Sequence, residues 1–192
     1  MTKTSLPFAL CLLLTGCMTY ATAVPAGGYK VGNSYRIELD HSWAKLDAGA
    51  PKGLAATVFT MDGLLLDRVY LVDSLDSGKP LVATSDPKKP TPTFRTDMSP
   101  TELAEFITDS LSAQDYKNVE SRALRSQPFG RVDGIRFEIS AANASGLIVS
   151  GTAQVAVVNG KLDAIIYLAP QEYYRDLRQG EVDSILRSVT LL

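Results

Sequence analysis

Cysteine is almost missing from this chain. Its 192 residues include two, Cys11 and Cys17, both close to the N-terminus. Everything after Cys17 is therefore without a disulfide and without a thiolate for metal or nucleophilic chemistry. Histidine is scarcer still, with His41 standing alone. One histidine, no usable cysteine and no carboxylates at EF-hand spacing leave a metal site without a donor set. No glycine-rich motif that cradles phosphates is present, so neither a metal nor a cofactor is expected. An excess of charge of one sign is also lacking. The chain has 19 Lys and Arg against 21 Asp and Glu, and no basic tract rises above that balance, which argues against nucleic-acid binding. Long apolar runs are absent as well: Leu6 to Leu14 is about half of the roughly 20 residues that a membrane-spanning helix needs.

What is there begins with that short run. Lys3 supplies a charged end, Leu6 to Leu14 an apolar segment, and Leu14-Thr15-Gly16-Cys17 closes it with small residues before a cysteine. This is the pattern of a bacterial lipoprotein signal. Residues 1–16 are expected to be a signal peptide, and Cys17 to carry a diacylglycerol thioether and an amide-linked acyl chain such as palmitate. Stable anchoring takes at least two acyl chains, each buried methylene contributing about 0.8 kcal/mol, and a triacylated Cys17 has three. An ordinary secretory leader cut after Ala21-Thr22-Ala23 is the rival reading. Met18 stands where, by analogy with lipoprotein sorting, an aspartate would retain the protein at the inner membrane. The expected address is thus the cell envelope, on the periplasmic side of the outer membrane.

Loss of residues 1–16 leaves 176 residues, one domain's worth, and takes Lys3 with it, so 18 basic side chains face 21 acidic ones. Such a length buries roughly 70% of its unfolded surface and needs no crosslinks. Residues 17–28, with Ala, Thr, Pro and a Gly-Gly pair but no apolar period, read as a lipid-anchored tether. A single domain is expected over residues 29–192.

Within it, Tyr35 to Leu39 alternates apolar with charged, as a half-buried strand does. Trp43 and Leu46 follow as core anchors in a turn-rich stretch. Two β-prone runs flank Asp62-Gly63, which reads as a tight type I′ turn, and Asn159-Gly160 gives the same signal between Leu147–Val158 and Leu162–Leu168. Ser99-Pro100-Thr101-Glu102 combines a cap, a proline at the first helical position and a capping-box glutamate. Leu103, Phe106, Ile107 and Leu111 then form one apolar stripe. Residues 118–126 read as a polar edge strand, Ile135 to Ala141 as a one-sided strand, and about Gly180 to Ser188 as a closing helix. Hairpins in series with apolar-faced helices make an α+β fold, an antiparallel β-sheet flanked by helices.

Candidate chemistry is thin. Ser42-Trp43-Ala44-Lys45 has S-x-x-K spacing, but the companion S-D-N-like and K-T-G-like elements are missing and no long helix opens at Ser42. His41 sits between Asp40 and Ser42, yet neighbours on a strand point to opposite faces, and no nucleophile elbow is present. No enzymatic activity is expected. Lys88-Lys89, in a proline-rich loop, reads as a solvated run rather than a contact site. Tyr167, Tyr173 and Tyr174 lie close together near Pro170. Packing at the end of the sheet is the expected role for most of them, with a groove or partner surface as the alternative.

The segment from Phe94-Arg95-Thr96-Asp97-Met98-Ser99-Pro100-Thr101-Glu102-Leu103 through Gly134-Ile135-Arg136-Phe137-Glu138 and Val158-Asn159-Gly160-Lys161-Leu162 to Val182–Val189 resembles the PsbP-like family, named for an extrinsic protein of photosystem II. The N-terminal half is similar in placing Trp43 after a first strand and a hairpin around Asp62-Gly63. The resemblance implies an α/β/α sandwich acting as a binding or assembly factor for a larger complex, with no shared site motif to carry over. The expected function is a lipid-anchored, non-enzymatic binding or assembly module with an envelope protein as partner. A periplasmic carrier of a small ligand or lipid is the alternative.

Overall fold

The computed structural model describes residues 21–47, 51–84, 91–114 and 116–192. Among these the chain forms eleven strands and two α-helices. The first six strands are β1 (Ala21–Val24), β2 (Gly27–Val31), β3 (Tyr35–Leu39), β4 (Trp43–Leu46), β5 (Thr57–Thr60) and β6 (Arg68–Leu75). Helix α1 (Pro100–Ser112) precedes β7 (Lys117–Ser126), β8 (Gly134–Ala142), β9 (Ile148–Val158) and β10 (Lys161–Pro170). Helix α2 (Tyr174–Arg187) and β11 (Thr190–Leu191) close the chain. An eight-stranded sheet runs β1-β4-β5-β6-β10-β9-β8-β7, and a three-stranded sheet runs β11-β3-β2. The pairings within both are antiparallel. This is the expected α+β architecture.

Side-chain alternation decides the layers. On β6 and β10, Tyr70, Val72, Leu162, Ala164, Ile166 and Leu168 face α1. Val69, Leu71, Ile165, Tyr167 and Ala169 face α2 and the small sheet. Both faces of the central strands are covered, so these strands are nearly continuously apolar. Toward the β7 edge the sheet is apolar chiefly on one side, where Ile135, Phe137, Ile139 and Ala141 of β8 join the α1 core.

Helix α1 starts where its residues require. Ser99 Oγ accepts from Glu102 N–H at 3.3 Å, and Ser99 N–H donates to Glu102 Oε2 at 2.8 Å, with Pro100 opening the helix. Those bonds satisfy two amides that would otherwise lack partners. Leu103, Phe106, Ile107 and Leu111 are buried, and Phe94 packs against Phe106 with ring centroids 6.2 Å apart. On the opposite face, Val182, Ile185 and Leu186 of α2 meet Ile37, Leu39 and Trp43. A bidentate pair from Arg178 to Asp62, at 2.7 and 2.8 Å, ties α2 to the β5–β6 loop.

The β9–β10 turn is the expected type I′: Asn159 and Gly160 have φ of 51° and 79°. Three other expectations are corrected. Asp62-Gly63 is not a two-residue turn, because only Gly63 has positive φ and seven residues separate β5 from β6. Asp67 causes the wider loop, accepting from Thr60 Oγ1, Met61 N–H and Asp62 N–H at 2.7–2.8 Å. The stretch read as tether is folded from Ala21 onward: β1 pairs with β4, Thr22 bonds to Asp47, and Ser42 Oγ donates to Val24 O at 3.1 Å. Ala-Thr-Ala-Val has no apolar period of its own, and its partner strand supplies the order. Helix α2 begins at Tyr174, six residues before the expected start, across a polar first half whose cap position, Tyr173, gives no side-chain hydrogen bond.

Strand β7 is a ten-residue edge, exposed along almost its whole length. Its register against β8 shifts twice, and Asn118 and Ala123 take positive φ of 51° and 52°. Bulges of this kind twist an edge and break its ladder.

Candidate functional site

Of the three tyrosines near Pro170, the structure buries Tyr167 completely and opens Tyr173. Tyr167 Oη donates to the carbonyls of Tyr174 at 2.9 Å and Arg175 at 3.3 Å, holding the first turn of α2. Burial pushes its phenol pKa up, so it remains a donor. Tyr167 is thus a packing residue and lines no groove. Tyr174 is half-buried and stacks edge-on with Tyr173 at 5.1 Å, while Tyr173 is 61% exposed. Gln171 N–H donates to Ile148 O at 3.1 Å, bringing exposed Ile148 close in the fold to Tyr173. Leu147 and Leu177 are also exposed. These side chains are the apolar surface at this end of the sheet. Beside them a cleft of about 340 Å³ is lined by Arg122, Glu138, Gln171, Arg175 and Asp176.

A larger cleft of about 610 Å³ lies at the C-terminal end of α1. Arg68 and Tyr116 line it together with Lys52, Leu65, Gln114 and Asn143. The Arg68 guanidinium sits 5.7 Å from the centroid of the Tyr116 ring. Burial works against its charge, but the phenols of Tyr70 and Tyr116 and the Asp67 carboxylate outweigh that, so its pKa is raised. Burial likewise raises the pKa of Tyr116. Sequence reading did not single out this group. Arg68 comes from β6, and Gln114 and Tyr116 from the connection between α1 and β7, so no local spacing links them.

A third cluster joins the two sheets. The Asp163 carboxylate of β10 is buried, accepts from Ser34 Oγ, and accepts from Ser74 N–H at 2.7 Å. Burial raises its pKa, the two hydrogen bonds oppose that rise, and the Asp73 carboxylate adds to it. A carboxyl whose folded pKa is raised holds its proton more tightly in the native state. Stability therefore falls as pH climbs from the ordinary aspartate value of about 3.9 through the raised one, then levels off. The melting temperature of the wild type relative to Asp163→Asn, followed from pH 3.5 upward, is expected to decline and then plateau. A flat difference would show that folding does not raise the pKa of Asp163.

The remaining sequence candidates do not converge. Ser42 serves the Val24 carbonyl, and Lys45 Nζ pairs with Asp47 at 3.0 Å. His41 is exposed. Among the described residues no three His, Cys, Asp or Glu side chains are grouped as metal ligands, and no helix is long and apolar enough to cross a membrane. Cys17 and Lys88-Lys89 lie outside the described residues.

Two layers of helix around an antiparallel sheet, with the capped α1 preceding four strands in series, define the PsbP-like fold. The particular likeness is to the solution structure of cyanobacterial PsbP (CyanoP) from Synechocystis sp. PCC 6803. The TM-score is 0.54 at 12% identity, covering 97% of this chain and 99% of that one. The crystal structure of LpqN, involved in cell envelope biogenesis of Mycobacterium tuberculosis, gives a TM-score of 0.39 at 9% identity, over 92% of this chain and 87% of that one. No protein-family model and no curated protein matches the chain.

Proposed function

We propose that this chain is a non-enzymatic binding or assembly module for a membrane-associated protein complex of the bacterial cell envelope. In this reading a lipid on Cys17 holds it at the periplasmic face of the outer membrane. The observation that carries the reading is how little chain separates anchor from fold. β1 opens at Ala21, four residues beyond the cysteine of Leu14-Thr15-Gly16-Cys17. Four residues span at most about 14 Å. A domain held that close presents its surfaces to neighbours on the membrane, and the apolar end bearing Tyr173 and Ile148 supplies a contact of the right chemistry. Binding or assembly is also what the PsbP-like resemblance implies. A carrier of an apolar ligand would instead need room between α1 and the sheet, where Phe94, Leu103, Phe106 and Ile107 are packed.

The test is crosslinking in intact cells, followed by capture of the full chain and of its Cys17→Ser form. An envelope protein recovered at near-stoichiometric yield with the wild type, and depleted at least tenfold with Cys17→Ser, is the expected result. Equal recovery from both forms, or recovery of the chain alone, overturns the proposal.

A further inference from the structure

Arg68 is held differently from the other shielded arginines. Arg136 pairs with Asp183, and Arg178 with Asp62 and Glu181. Among the described residues Arg68 has no ion pair; it lies over the face of Tyr116 and beside the hydroxyl of Tyr70. Its sequence neighbour Asp67 cannot serve it. That carboxylate is on the other side of the strand, where it already accepts three hydrogen bonds from Thr60, Met61 and Asp62. A cation–π contact and a neutral phenol are weak compensation for a guanidinium withdrawn from water.

The groups around it are also unused. The hydroxyls of Tyr116 and Tyr70 are buried without a hydrogen-bond partner, and so are both ends of the Gln114 amide. Tyr116 is 7% exposed and Tyr70 is 1% exposed. Tyr70 lies one pleat beyond Arg68 on the same face of β6, with its hydroxyl close to both Arg68 and Tyr116 but outside good hydrogen-bond geometry to either. Buried polar atoms without partners are rare in folded proteins and need a reason. Here three kinds of donor, the Arg68 guanidinium, the Tyr116 phenol and the Gln114 amide, line one cleft, with the Tyr70 hydroxyl behind Arg68 and the ammonium of Lys52 among the lining groups. Donors drawn from a strand and from the α1–β7 connection converge from different directions, which suits the tetrahedral oxygens of a phosphate better than a planar carboxylate.

One feature opposes an anion at this place: the C-terminal end of α1 turns its carbonyls toward it. Two of them are already engaged, Asp109 O by Ala113 N–H at 3.0 Å and Leu111 O by Gln114 N–H at 2.9 Å. Arg68 donates to no helix carbonyl among the described residues, so capping α1 is not its role. We infer that the cleft bounded by Arg68, Gln114 and Tyr116 is a binding site for a phosphate group. The cleft is the size of a small-molecule site, and its lip carries Leu65, 76% exposed, with Pro51 and Val82 nearby. Two sources fit that chemistry: a soluble phosphate and the headgroup of a phospholipid.

The test is an NMR titration of the full chain, labelled with 15N, in micelles of a zwitterionic detergent. Inorganic phosphate is added in one series and phosphatidylglycerol in the other. Saturable shifts of the Arg68 Nε–H and Gln114 Nε2 signals are expected; followed at Gln114 Nε2, the affinity falls at least tenfold in Arg68→Gln and several-fold in Tyr116→Phe. Tyr116→Phe keeps the ring and deletes only the hydroxyl, so a folding defect in the arginine variant does not decide the matter. Saturation by phosphate at the lower concentration assigns a soluble ligand, and saturation by phosphatidylglycerol at the lower concentration assigns a headgroup. Both support the site. Shifts that fail to saturate in either series, or that are unchanged in both variants, overturn it.

Discussion

Phe137→Ala lowers the free energy of unfolding by about 3–5 kcal/mol, the range for deleting a buried phenylalanine. Phe137 is fully buried on the α1 side of β8 and belongs to the same core as Phe106, Ile107 and Ile139. Its direct neighbour on β9 is Ala153, too short to reach into the space left behind. The strands on either side are fixed by their ladders, so the cavity stays largely open and the loss lies toward the upper end of the range. Against a total stability of roughly 5–15 kcal/mol, that is a large share. Urea unfolding shows it as a lowered midpoint with an unchanged slope. A loss below about 1 kcal/mol would mean that β8 does not close this core.

Gly151→Ala is expected to be comparably severe for the opposite reason, too much matter instead of too little. A Cβ added at Gly151 would stand 1.7 Å from the carbonyl oxygen of Tyr167 and 2.7 Å from its carbonyl carbon. Both atoms belong to the backbone of β10, so no rotamer change relieves the overlap and the two central strands must separate locally. Overpacking typically costs about 1–3 kcal/mol where side chains can adjust; with rigid backbone as the obstacle, about 3 kcal/mol or more is expected. Gly160 supplies the control. A Cβ there meets nothing closer than Thr96 Cγ2 at 3.9 Å, and only its φ of 79° penalises alanine, by about 1 kcal/mol. If denaturant curves rank Gly160→Ala as the more damaging of the two, the close approach of β9 and β10 is wrong.

What could be read from sequence was what neighbouring residues decide together. The capping box at Ser99 and Glu102, the apolar stripe of α1, the alternation along β8 and the Asn159-Gly160 turn are local, and each stands in the structure. The misreadings share a cause in partners distant along the chain. Ala21–Val24 is a strand because β4 lies beside it, and the β5–β6 loop is wide because Asp67 reaches back to Met61. The first half of α2 carries few apolar residues and is held in place by Tyr167 and by the Arg178–Asp62 pair. The phosphate cleft was illegible for the same reason. Arg68 at the start of a strand looks like any outward-facing arginine until Tyr116 is folded over it.

The bulged edge of β7 bears on what the proposed anchoring through Cys17 would do when many copies share one bilayer. Anchoring raises the local concentration of a protein by confining it to two dimensions, and a ten-residue row of free amides and carbonyls would then zip copies into ribbons. The register breaks near Asn118 and Ala123 divide that row into pieces too short to template a neighbour, and Lys117, Glu120, Arg122 and Arg125 add charge along it. The strand that looks least ordered in its pairing is thus a guard against edge-to-edge association, set beside the cleft of Arg122, Gln171 and Arg175 and the Tyr173 end that the proposed partner would meet.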